Sequence, residues 1–358
     1  MKNIVNPFVI ITLSFLLSCG SAEKHDILSL TGWGISEKDT EKFMADAKAV
    51  GFDVLITWST DTVFLRKAVD AGKKYNIKIF SCIEPMGRIG ILWNKTYPEK
   101  PVPWQVMTDD EESARKFIMA GKNRAIIPYQ FGGEPRMTNE VLGERIICFN
   151  NKDARELFKP VIDKIVSVSG IEGLAFDGFG YQNYHNCNCD ACKRSLDDFR
   201  KINPGISEEE SVNIYFRDLL VDYINYLADY SRSKKSDIKT NIHIWPVFSP
   251  DPLYGNRLDV DYCGQTAAWY TIWPEAKIAE YSRIISGEAR KYHKRQTGVG
   301  MMGYYDRPGQ FPVKDAVCVD MELRTMIENG CKSIQVCGTE DVINKKEIAE
   351  VFKRYFNK

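Results

Sequence analysis

Short apolar segments alternate with longer segments of helical period from residue 27 onward. The apolar segment ILSLTGWG is followed by SEKDTEKFMADAKAVG, in which Ser36 can cap the start of a helix and Gly51 can end it. The segments FDVLITWS, TVFLRKAVDAGKKYN and IKIFSCIE continue the same alternation. Strands that alternate with helices in this way are typical of a parallel sheet covered by helices.

The alternation resumes after a long interruption and brings the candidate strands to eight. The later strands are predicted at LAFDGFG, KTNIHIWP, DVDYCGQ, TGVGMMGYY and SIQVCG, with helical segments between most of them. Eight strands that alternate with helices favour an α/β fold of the closed (β/α)8 TIM-barrel type. An open doubly wound sheet is the alternative, but no G-x-G-x-x-G motif follows the first strand.

The interruption is predicted to be a long insertion after strand 3. Roughly 65 residues separate that strand from the helix that begins near Asn151, whereas most connections in compact domains have a handful of residues. A connection of this length at the working end of a barrel is usually functional or a small subdomain. The alternative is an excursion that only covers the barrel.

Length and charge favour one globular domain with no nucleic-acid partner. The chain has 358 residues, a size that single α/β barrels reach, and no linker-like segment divides it. Its 48 basic residues balance its 48 acidic residues. Because no basic excess exists, neither nucleic acid nor an anionic surface is predicted as a partner.

The amino terminus, MKNIVNPFVIITLSFLLSCGSAEKHD, predicts export. Its apolar run from Phe8 to Leu17 is too short for a spanning helix and follows Lys2, as in a signal peptide. The ending L-x-S-C resembles a bacterial lipobox, in which Cys19 would carry the lipid; a simple signal peptide is the alternative. We therefore predict a signal peptide over 1–18, a lipidated tether over 19–26 and the barrel over 27–358. The protein would lie in the cell envelope and touch the membrane only through its anchor.

Residues at the carboxyl ends of the strands are the candidate site, because this end of the barrel, here called the mouth, carries the active sites of such folds. Aromatic rings and carboxylates dominate these positions. Sugar rings present C–H faces to aromatic rings and hydroxyl groups to polar side chains, so a carbohydrate is the predicted ligand. The substrate-binding candidates are Trp33, Trp58, His243, Trp245, Tyr262, Gln265, Trp269, Tyr304 and Tyr305. The alternative for each aromatic residue is a plug of the mouth.

Asp177, which follows an apolar run in the fourth strand, is the first candidate for a catalytic acid. Glycoside hydrolysis requires a proton donor and a second carboxylate. A carboxyl group at the end of an apolar strand is partly desolvated, which suits a proton donor. The second carboxylate stays open between Asp306, Glu340 and Glu84. The alternative role of Asp177 is to hold a substrate hydroxyl or a loop.

Three cysteines follow Asp177 in the segment FDGFGYQNYHNCNCDACKRSLDDF with C-x-C-x-x-C spacing. Cys187, Cys189 and Cys192 are too close in sequence for an easy internal disulfide, and their thiolates can converge on one zinc ion. A structural zinc requires a fourth ligand from elsewhere in the chain. Free or disulfide-paired thiols are the alternative, and His185 could replace one cysteine as a ligand.

The segment RIICFNNKDARELFKPVIDKIV resembles the part of glycoside hydrolase family 42 β-galactosidases that supplies the first cysteine of their zinc cluster. In that family a C-x-C-x-x-C motif after the fourth strand supplies the other three ligands. Here Cys148 precedes Cys187, Cys189 and Cys192 by a similar interval, and Phe199 and Arg200 follow. The resemblance covers Arg145 to Arg200 and implies one structural zinc ion held by four cysteines.

The fourth strand departs from that family, because Asp177 and Gly178 stand where the family has Asn-Glu. Less characterised glycoside-hydrolase-like barrels with F-D-G before a cysteine cluster are more similar, so β-galactosidase activity is not implied. Two functions are predicted. The first is an exported glycoside hydrolase that acts on a glycan, which Asp177 and the cluster favour. The second is a non-catalytic carbohydrate-binding lipoprotein. In the barrels that it resembles, the second carboxylate is normally a Glu at the end of strand seven, and the segment GMMGYYDRP has none there, which favours this second function.

Overall fold

Eight parallel strands form a closed barrel and follow one another around it in sequence order. The computed structural model describes residues 28–85, 89–106, 147–179, 187–244, 254–308 and 312–357. The strands are β1 Ser29–Trp33, β2 Val54–Thr57, β3 Lys78–Ile83, β4 Gly173–Phe179, β5 Lys239–Ile244, β6 Tyr262–Thr266, β7 Thr297–Gly303 and β8 Ser333–Cys337. Because β1 pairs with β8, the sheet is closed, and the predicted (β/α)8 barrel is confirmed over the open sheet.

Helices follow the strands and cover the outside of the barrel. They are α1 Thr40–Val50, α2 Thr62–Tyr75, α3 Gly90–Thr96, α4 Lys152–Glu156, α5 Lys159–Val166, α6 Asp190–Ile202, α7 Glu208–Lys234, α8 Glu275–Glu288, α9 Ala316–Glu328, α10 Thr339–Asn344 and α11 Lys346–Phe356. The helices bury an apolar face, as α2 does with Leu65 and Val69. Because each helix begins after a strand ends, helix starts lie on the same rim as the mouth.

The long insertion after β3 is confirmed: α3 lies within it, and α4 and α5 follow it before β4. Two of its described segments meet at an isolated antiparallel bridge between Trp104 and Ile147. The Trp93 indole in α3 donates to the carbonyl of Lys100 at 2.9 Å, which holds the first segment in a turn. The described ends of the insertion are therefore tied to each other beside the mouth.

Short side chains fix where the first helices begin. Asp39, and not the predicted Ser36, caps α1, since its carboxylate accepts from the Lys42 backbone N–H at 3.1 Å. Gly51 ends this helix as predicted and has a φ of 109°, a left-handed conformation that favours glycine. Asp61 caps α2 by accepting from Val63, so this strand-end carboxylate has a structural role.

Side chains alternate between the barrel interior and the helix layer along each strand. Ser333 and Gln335 of β8 face the interior, where Ser333 Oγ lies 2.8 Å from Ser29 Oγ. The Trp33 indole donates to Gln335 Oε1 at 2.9 Å, and Gln335 Nε2 donates to Asn241 Oδ1. Since an indole N–H can only donate, it fixes the orientation of both amides. We call the hydrogen-bonded side chains of Trp33, Gln335 and Asn241 the polar relay. It crosses the interior directly below the mouth.

The export predictions fall on residues that the structure does not describe. Cys19 and the signal and tether segments lie outside the described residues. Among the described residues, no helix combines the length and the apolar character that a bilayer crossing requires. The lipid anchor therefore stays a prediction from sequence.

Candidate functional site

Asp177 lies at the centre of the candidate site, where β4 reaches the mouth, and only 9% of it is exposed. Its Oδ1 lies 2.9 Å from Nδ1 of His243. His243 follows Ile242, the residue of the neighbouring strand β5 that pairs with Phe176. Its Oδ2 accepts from the Trp58 indole N–H at 3.3 Å. Each carboxylate oxygen is therefore held by a different ring nitrogen. We call Asp177, His243 and Trp58 the Asp177 clamp.

Aromatic rings enclose the clamp. The Trp33 ring lies 5.6 Å from Trp58 and 5.7 Å from His243 between ring centroids. On the other side, Trp269 lies 5.3 Å from His243. These distances are typical of packed aromatic pairs. His243 is buried between two indoles, whereas Trp58 is 43% exposed, so solvent reaches the clamp along Trp58.

A second group of rings continues from Trp269 along the rim. Tyr270 lies 4.5 Å from Trp269, and it stacks on Tyr305 at 4.2 Å with 13° between the ring planes. Gly303 makes this packing feasible, because a Cβ at that position would lie 2.5 Å from the Tyr270 ring. We call Trp269, Tyr270 and Tyr305 the aromatic arc. Five of the predicted candidates thus belong to one continuous set of rings, in which Tyr270 links the last two. They are Trp33, Trp58, His243, Trp269 and Tyr305.

Glu84 is the candidate carboxylate that the fold brings beside Asp177. Cys82 of β3 pairs with Ala175 of β4, and Ile83 pairs with Phe176. The same register, continued by one residue, places Glu84 next to Asp177. Neighbouring strands lie about 4.8 Å apart. Burial raises the pKa of the Cys82 thiol, and the charges of Asp177 and Glu84 raise it further. Both carboxylates therefore lie close to the same buried thiol.

The other two candidate carboxylates lie among charged groups beyond β7 and β8. Asp306 forms an ion pair of 3.2 Å with Lys345. Glu340 is exposed in the first turn of α10. Burial raises the pKa of the adjacent Asp341, and the Arg307 guanidinium opposes this shift. Asp306 and Glu340 thus belong to a charged group on the rim, and neither has a contact with the Asp177 clamp in the described structure.

Two of the predicted substrate-binding residues are misplaced for this site. Tyr262 is the first residue of β6, so it lies at the opposite end of the barrel, where its ring is 6.2 Å from Phe80. Gln265 follows Gly264, which faces Gln335 inside the barrel, and alternation turns Gln265 outward against Gly255. Neither Tyr262 nor Gln265 faces the mouth, because the segment DVDYCGQ showed neither where its strand begins nor which residues face inward.

Tyr304 is also turned away from the clamp. It follows the inward-facing Gly303, is buried, and lies near Asp306 and Glu347, whose charges act on its hydroxyl group. Burial raises the pKa of Tyr304 to about 12, and these carboxylates contribute. This candidate therefore packs in the helix layer. Trp245, the remaining candidate, lies outside the described residues.

Sequence reasoning missed a buried ion pair behind the aromatic arc and the polar relay below the clamp. Lys314 and Glu322 are both buried and form an ion pair. Nothing in the sequence distinguishes this lysine from the many surface lysines. A signal did exist for Asn241 and Gln335, because a polar residue at an inward position of an apolar strand requires a partner.

The four predicted metal ligands lie together. The sulfur atoms of Cys148, Cys187, Cys189 and Cys192 are all within 4.8 Å of one another. Cys148 Sγ lies 3.4 Å from Cys192 Sγ and 3.9 Å from Cys189 Sγ. Tetrahedral Zn–S bonds of about 2.3 Å place sulfur atoms about 3.8 Å apart, so this arrangement matches a four-cysteine metal site.

The backbone around these cysteines connects the insertion to α6. Cys148 donates its N–H to Pro103 at 2.8 Å, and Asn188 donates to Val106. Cys189 precedes α6, whose first turn contains Cys192. Hydrogen bonds from Cys148 and then Cys192 lower the pKa of the Cys187 thiol. The described cysteines form no disulfide, and the cluster joins three chain segments in one place.

The barrel is similar to those of several solved glycoside hydrolases. The glycoside hydrolase domain of PgaB (BpsB) from Bordetella bronchiseptica matches with a TM-score of 0.59 and 9% identity, over 93% of this chain and 99% of that domain. A β-galactosidase from Bacillus circulans sp. alkalophilus matches with a TM-score of 0.58 and 14% identity, over 93% of this chain and 56% of that one.

An α-L-fucosidase from Paenibacillus thiaminolyticus matches with a TM-score of 0.56 and 12% identity, over 92% of this chain and 49% of that one. This chain therefore spans about half of the length of the two larger enzymes. At these identities the similarity shows the barrel fold alone. No family model matches the sequence, and no curated protein matches it.

Proposed function

We propose that this chain is a glycoside hydrolase that cleaves a glycan at the barrel mouth. The observation that carries the proposal is the Asp177 clamp, a carboxylate at the end of β4 that two ring nitrogens hold. A group fixed in this way is preorganised for chemistry, since it has little freedom to reorient during a reaction. The fold of the similar solved structures, which are glycoside hydrolases, agrees with the proposal.

The contacts of Asp177 favour its work as a carboxylate and not as the acid expected from sequence. The Trp58 indole can only donate, so it stabilises an accepting oxygen. His243 completes the pattern when it donates from Nδ1 to the other oxygen. Donors at both oxygens suit a nucleophile whose negative charge is needed at the start of the reaction.

Glu84 then takes the role of the proton donor. It follows the last residue of β3, beside Asp177 at the end of β4, and the charges of both carboxylates act on the Cys82 thiol. Two carboxyl groups on adjacent strand ends suit a retaining enzyme, in which the acid and the nucleophile lie close together. Asp177 attacks the anomeric carbon while Glu84 protonates the departing oxygen, which forms a glycosyl–Asp177 ester. Glu84 then takes a proton from water, whose oxygen displaces Asp177 and restores both groups.

The rings around the clamp support a carbohydrate substrate. Trp58 exposes 43% of its surface beside the reacting carboxylate and offers an indole face on which a sugar ring can stack. Trp33 packs behind it at 5.6 Å and supports its orientation. The partly exposed Tyr305 ring extends the surface along the rim. We therefore place the scissile sugar over Trp58 and adjacent units toward the aromatic arc.

A non-catalytic carbohydrate-binding protein is the second candidate function. The observation that favours it lies at the end of β7, where Asp306 is bound to Lys345 at 3.2 Å. Binding would use the same rings and the same clamp, with Asp177 accepting from a sugar hydroxyl. The two functions differ only in whether Glu84 and Asp177 carry out bond cleavage.

We also propose that the cysteine cluster holds one structural zinc ion. Four thiolates satisfy all four positions of tetrahedral zinc, so no position remains for a substrate or a reacting water. The ion would tie the insertion at Cys148 to the start of α6, which follows the clamp strand β4. In the same way, export and a lipid on Cys19 remain our proposal from sequence and would place this barrel on the cell envelope.

A panel of aryl glycosides and oligosaccharides tests the proposed function. Purified wild type, Asp177→Asn and Glu84→Gln are compared, with Asp306→Asn as the matched control on the same rim. We expect turnover in wild type and Asp306→Asn, and a loss of about 100-fold or more in the two site variants. Oligosaccharide binding without turnover in all four proteins would instead support the non-catalytic function.

A further inference from the structure

The buried ion pair between Lys314 and Glu322 lies behind the aromatic arc. Lys314 is 3% exposed and Glu322 is 0% exposed. The lysine Nζ lies 2.8 Å from one carboxylate oxygen of Glu322 and 2.9 Å from the other. Burial raises the pKa of Glu322, and the ammonium of Lys314 opposes this shift. Two charges are thus removed from water, although apolar side chains could fill the same space.

Stability alone is a weak explanation for such a pair. The desolvation of two charges offsets much of their attraction, and replacement of a buried ion pair by apolar residues of similar volume is often neutral or stabilising. An ammonium differs from an apolar group in the three hydrogen bonds that it can donate. The other partners of Lys314 therefore indicate what the charge contributes.

Lys314 Nζ donates to two backbone carbonyl groups in addition to Glu322. One is the carbonyl of Gly303 at the end of β7, at 3.1 Å, and the other is the carbonyl of Trp269 in the loop after β6. Glu322 lies on α9, so one ammonium connects a strand end, a loop and a helix. All three donor directions are used.

Both carbonyl groups belong to the backbone that carries the aromatic arc. The ring of Trp269 lies 5.3 Å from His243. Gly303 lies against Tyr270, which stacks on Tyr305. The preceding loop residue Ala268 is joined to β7 through a hydrogen bond of its N–H to Met301 at 3.1 Å. After Ala268, the hydrogen bond from Lys314 to the Trp269 carbonyl holds the loop in place.

We propose that Lys314, anchored by Glu322, is a positioning residue that sets the Trp269 ring against His243 and thereby fixes the Asp177 clamp. This proposal rests on the proposed function only for its catalytic consequence. The geometric consequence concerns His243 itself, which is packed between the rings of Trp33 and Trp269. Loss of the lysine would let Trp269 move and would change the surroundings of the imidazole.

The test replaces both charges with apolar side chains in Lys314→Met with Glu322→Leu. Lys353→Met with Glu350→Leu, an exposed pair of 2.7 Å on α11, is the matched control. Two-dimensional NMR of ¹⁵N-labelled imidazoles reads the surroundings of His243, and the His243→Asn variant identifies its signals among the four histidines. Thermal unfolding is measured on the same samples.

We expect the double variant to fold with a lowered Tm, because the carbonyl groups of Trp269 and Gly303 lose their donor. The His243 signals should shift, and those of the control should remain in place. Turnover of any substrate found in the glycoside panel should fall roughly 10- to 100-fold through misplacement of the clamp. A folded double variant with unchanged His243 signals would overturn the proposal. This result does not depend on activity, so failure of the glycosidase proposal is recognised separately.

Should the double variant not fold, Glu322→Gln decides by the same NMR measurement. Its amide oxygen still accepts from Lys314, but the lysine loses its counter-charge. A displaced His243 signal in this variant supports the positioning role. An unchanged signal overturns it.

Discussion

Oδ1 of Asp177 lies 2.9 Å from Nδ1 of His243, and Oδ2 of the same carboxylate accepts from the indole of Trp58. The two donors come from different strand ends, β5 and the segment after β2. They converge on one carboxylate because parallel strands bring their carboxyl ends to the same edge of the sheet, and β2, β3, β4 and β5 follow one another in it.

Trp58→Phe tests the hydrogen bond to Asp177 separately from the ring. The phenyl ring keeps an apolar face for a sugar but cannot donate to Oδ2. Since a hydrogen bond to a charged group contributes about 1.5–3 kcal/mol, kcat should fall about 10- to 100-fold while KM changes little. Steady-state kinetics measure both constants. The control is Trp58→Ala, which should also raise KM, and equal kcat in wild type and Trp58→Phe would contradict the clamp.

Glu84→Gln tests the role of the proton donor. A glutamine cannot protonate the departing oxygen, so poor leaving groups should suffer far more than dinitrophenyl glycosides, whose leaving group needs no proton. Asp177→Asn should lose activity on both, because it lacks the nucleophile. Values of kcat/KM for a series of aryl glycosides check this difference, because they report the first step alone and not the later attack of water. A uniform loss of kcat/KM across the series in Glu84→Gln would contradict the assignment.

The pH dependence of the activity of Glu84→Gln gives a second test of the proton donor. A general acid must be protonated, so wild-type activity should fall as pH rises through the pKa of the donor. Glu84→Gln has no such proton to lose, and the alkaline limb of its pH–rate profile should disappear. An alkaline limb that persists in Glu84→Gln would assign the proton donor to another group.

Metal analysis and the variant Cys148→Ser test the cysteine cluster. Metal analysis of the purified protein should find about one zinc ion per chain, and Cys148→Ser should lower this content. Because binding free energy at a structural site contributes to folding, the variant should also lose several kcal/mol of stability. Cys318→Ser, at a half-buried cysteine outside the cluster, is the matched control. Equal zinc content and Tm in Cys148→Ser and wild type would contradict the site.

Gly303→Ala tests the packing of Tyr270. The added Cβ would lie 2.5 Å from the Tyr270 ring, which is stacked and buried and cannot move without cost. We expect a loss of about 1–3 kcal/mol in the free energy of unfolding. Gly287→Ala in α8 is the control, since a Cβ there meets nothing within 4 Å. That variant should change stability by less than about 1 kcal/mol, in the stabilising direction.

The raised pKa of the buried Tyr304 predicts that the protein loses stability at alkaline pH. Its pKa is raised from 10.0 to about 12 by burial, so the unfolded chain loses this proton at lower pH than the folded protein. The stabilisation is complete below pH 10 and decreases as pH rises toward 12. Urea unfolding of Tyr304→Phe should therefore show a weaker pH dependence in this range. Tyr292→Phe, at an exposed site, is the control and should follow wild type.

Local sequence patterns were sufficient to predict the barrel and to identify Asp177. Alternation of strand and helix is encoded in residues close to one another, as are the cap at Gly51 and the apolar run before Asp177. The spacing of Cys187, Cys189 and Cys192 likewise indicated a metal site, and the resemblance to a known zinc cluster pointed to Cys148. The structure brings these four cysteines together.

The partners of these residues depended on tertiary structure. Glu84, Asp306 and Glu340 were equivalent in sequence, and only the register between β3 and β4 placed Glu84 beside Asp177. Tyr262 was assigned to the wrong end of its strand, because short apolar segments do not mark where pairing begins.

The barrel fold and the position of Asp177 at the end of β4 could be read from the sequence, since they depend on local periodicity and on the end of one apolar run. The groups that surround Asp177 depend on tertiary packing. His243 lies 66 residues away along the chain and Trp58 lies 119 away, and parallel pairing of the strands brings them within hydrogen-bond distance. The positioning role of Lys314 has the same origin, because its contacts connect a loop, a strand end and a helix that no local pattern relates.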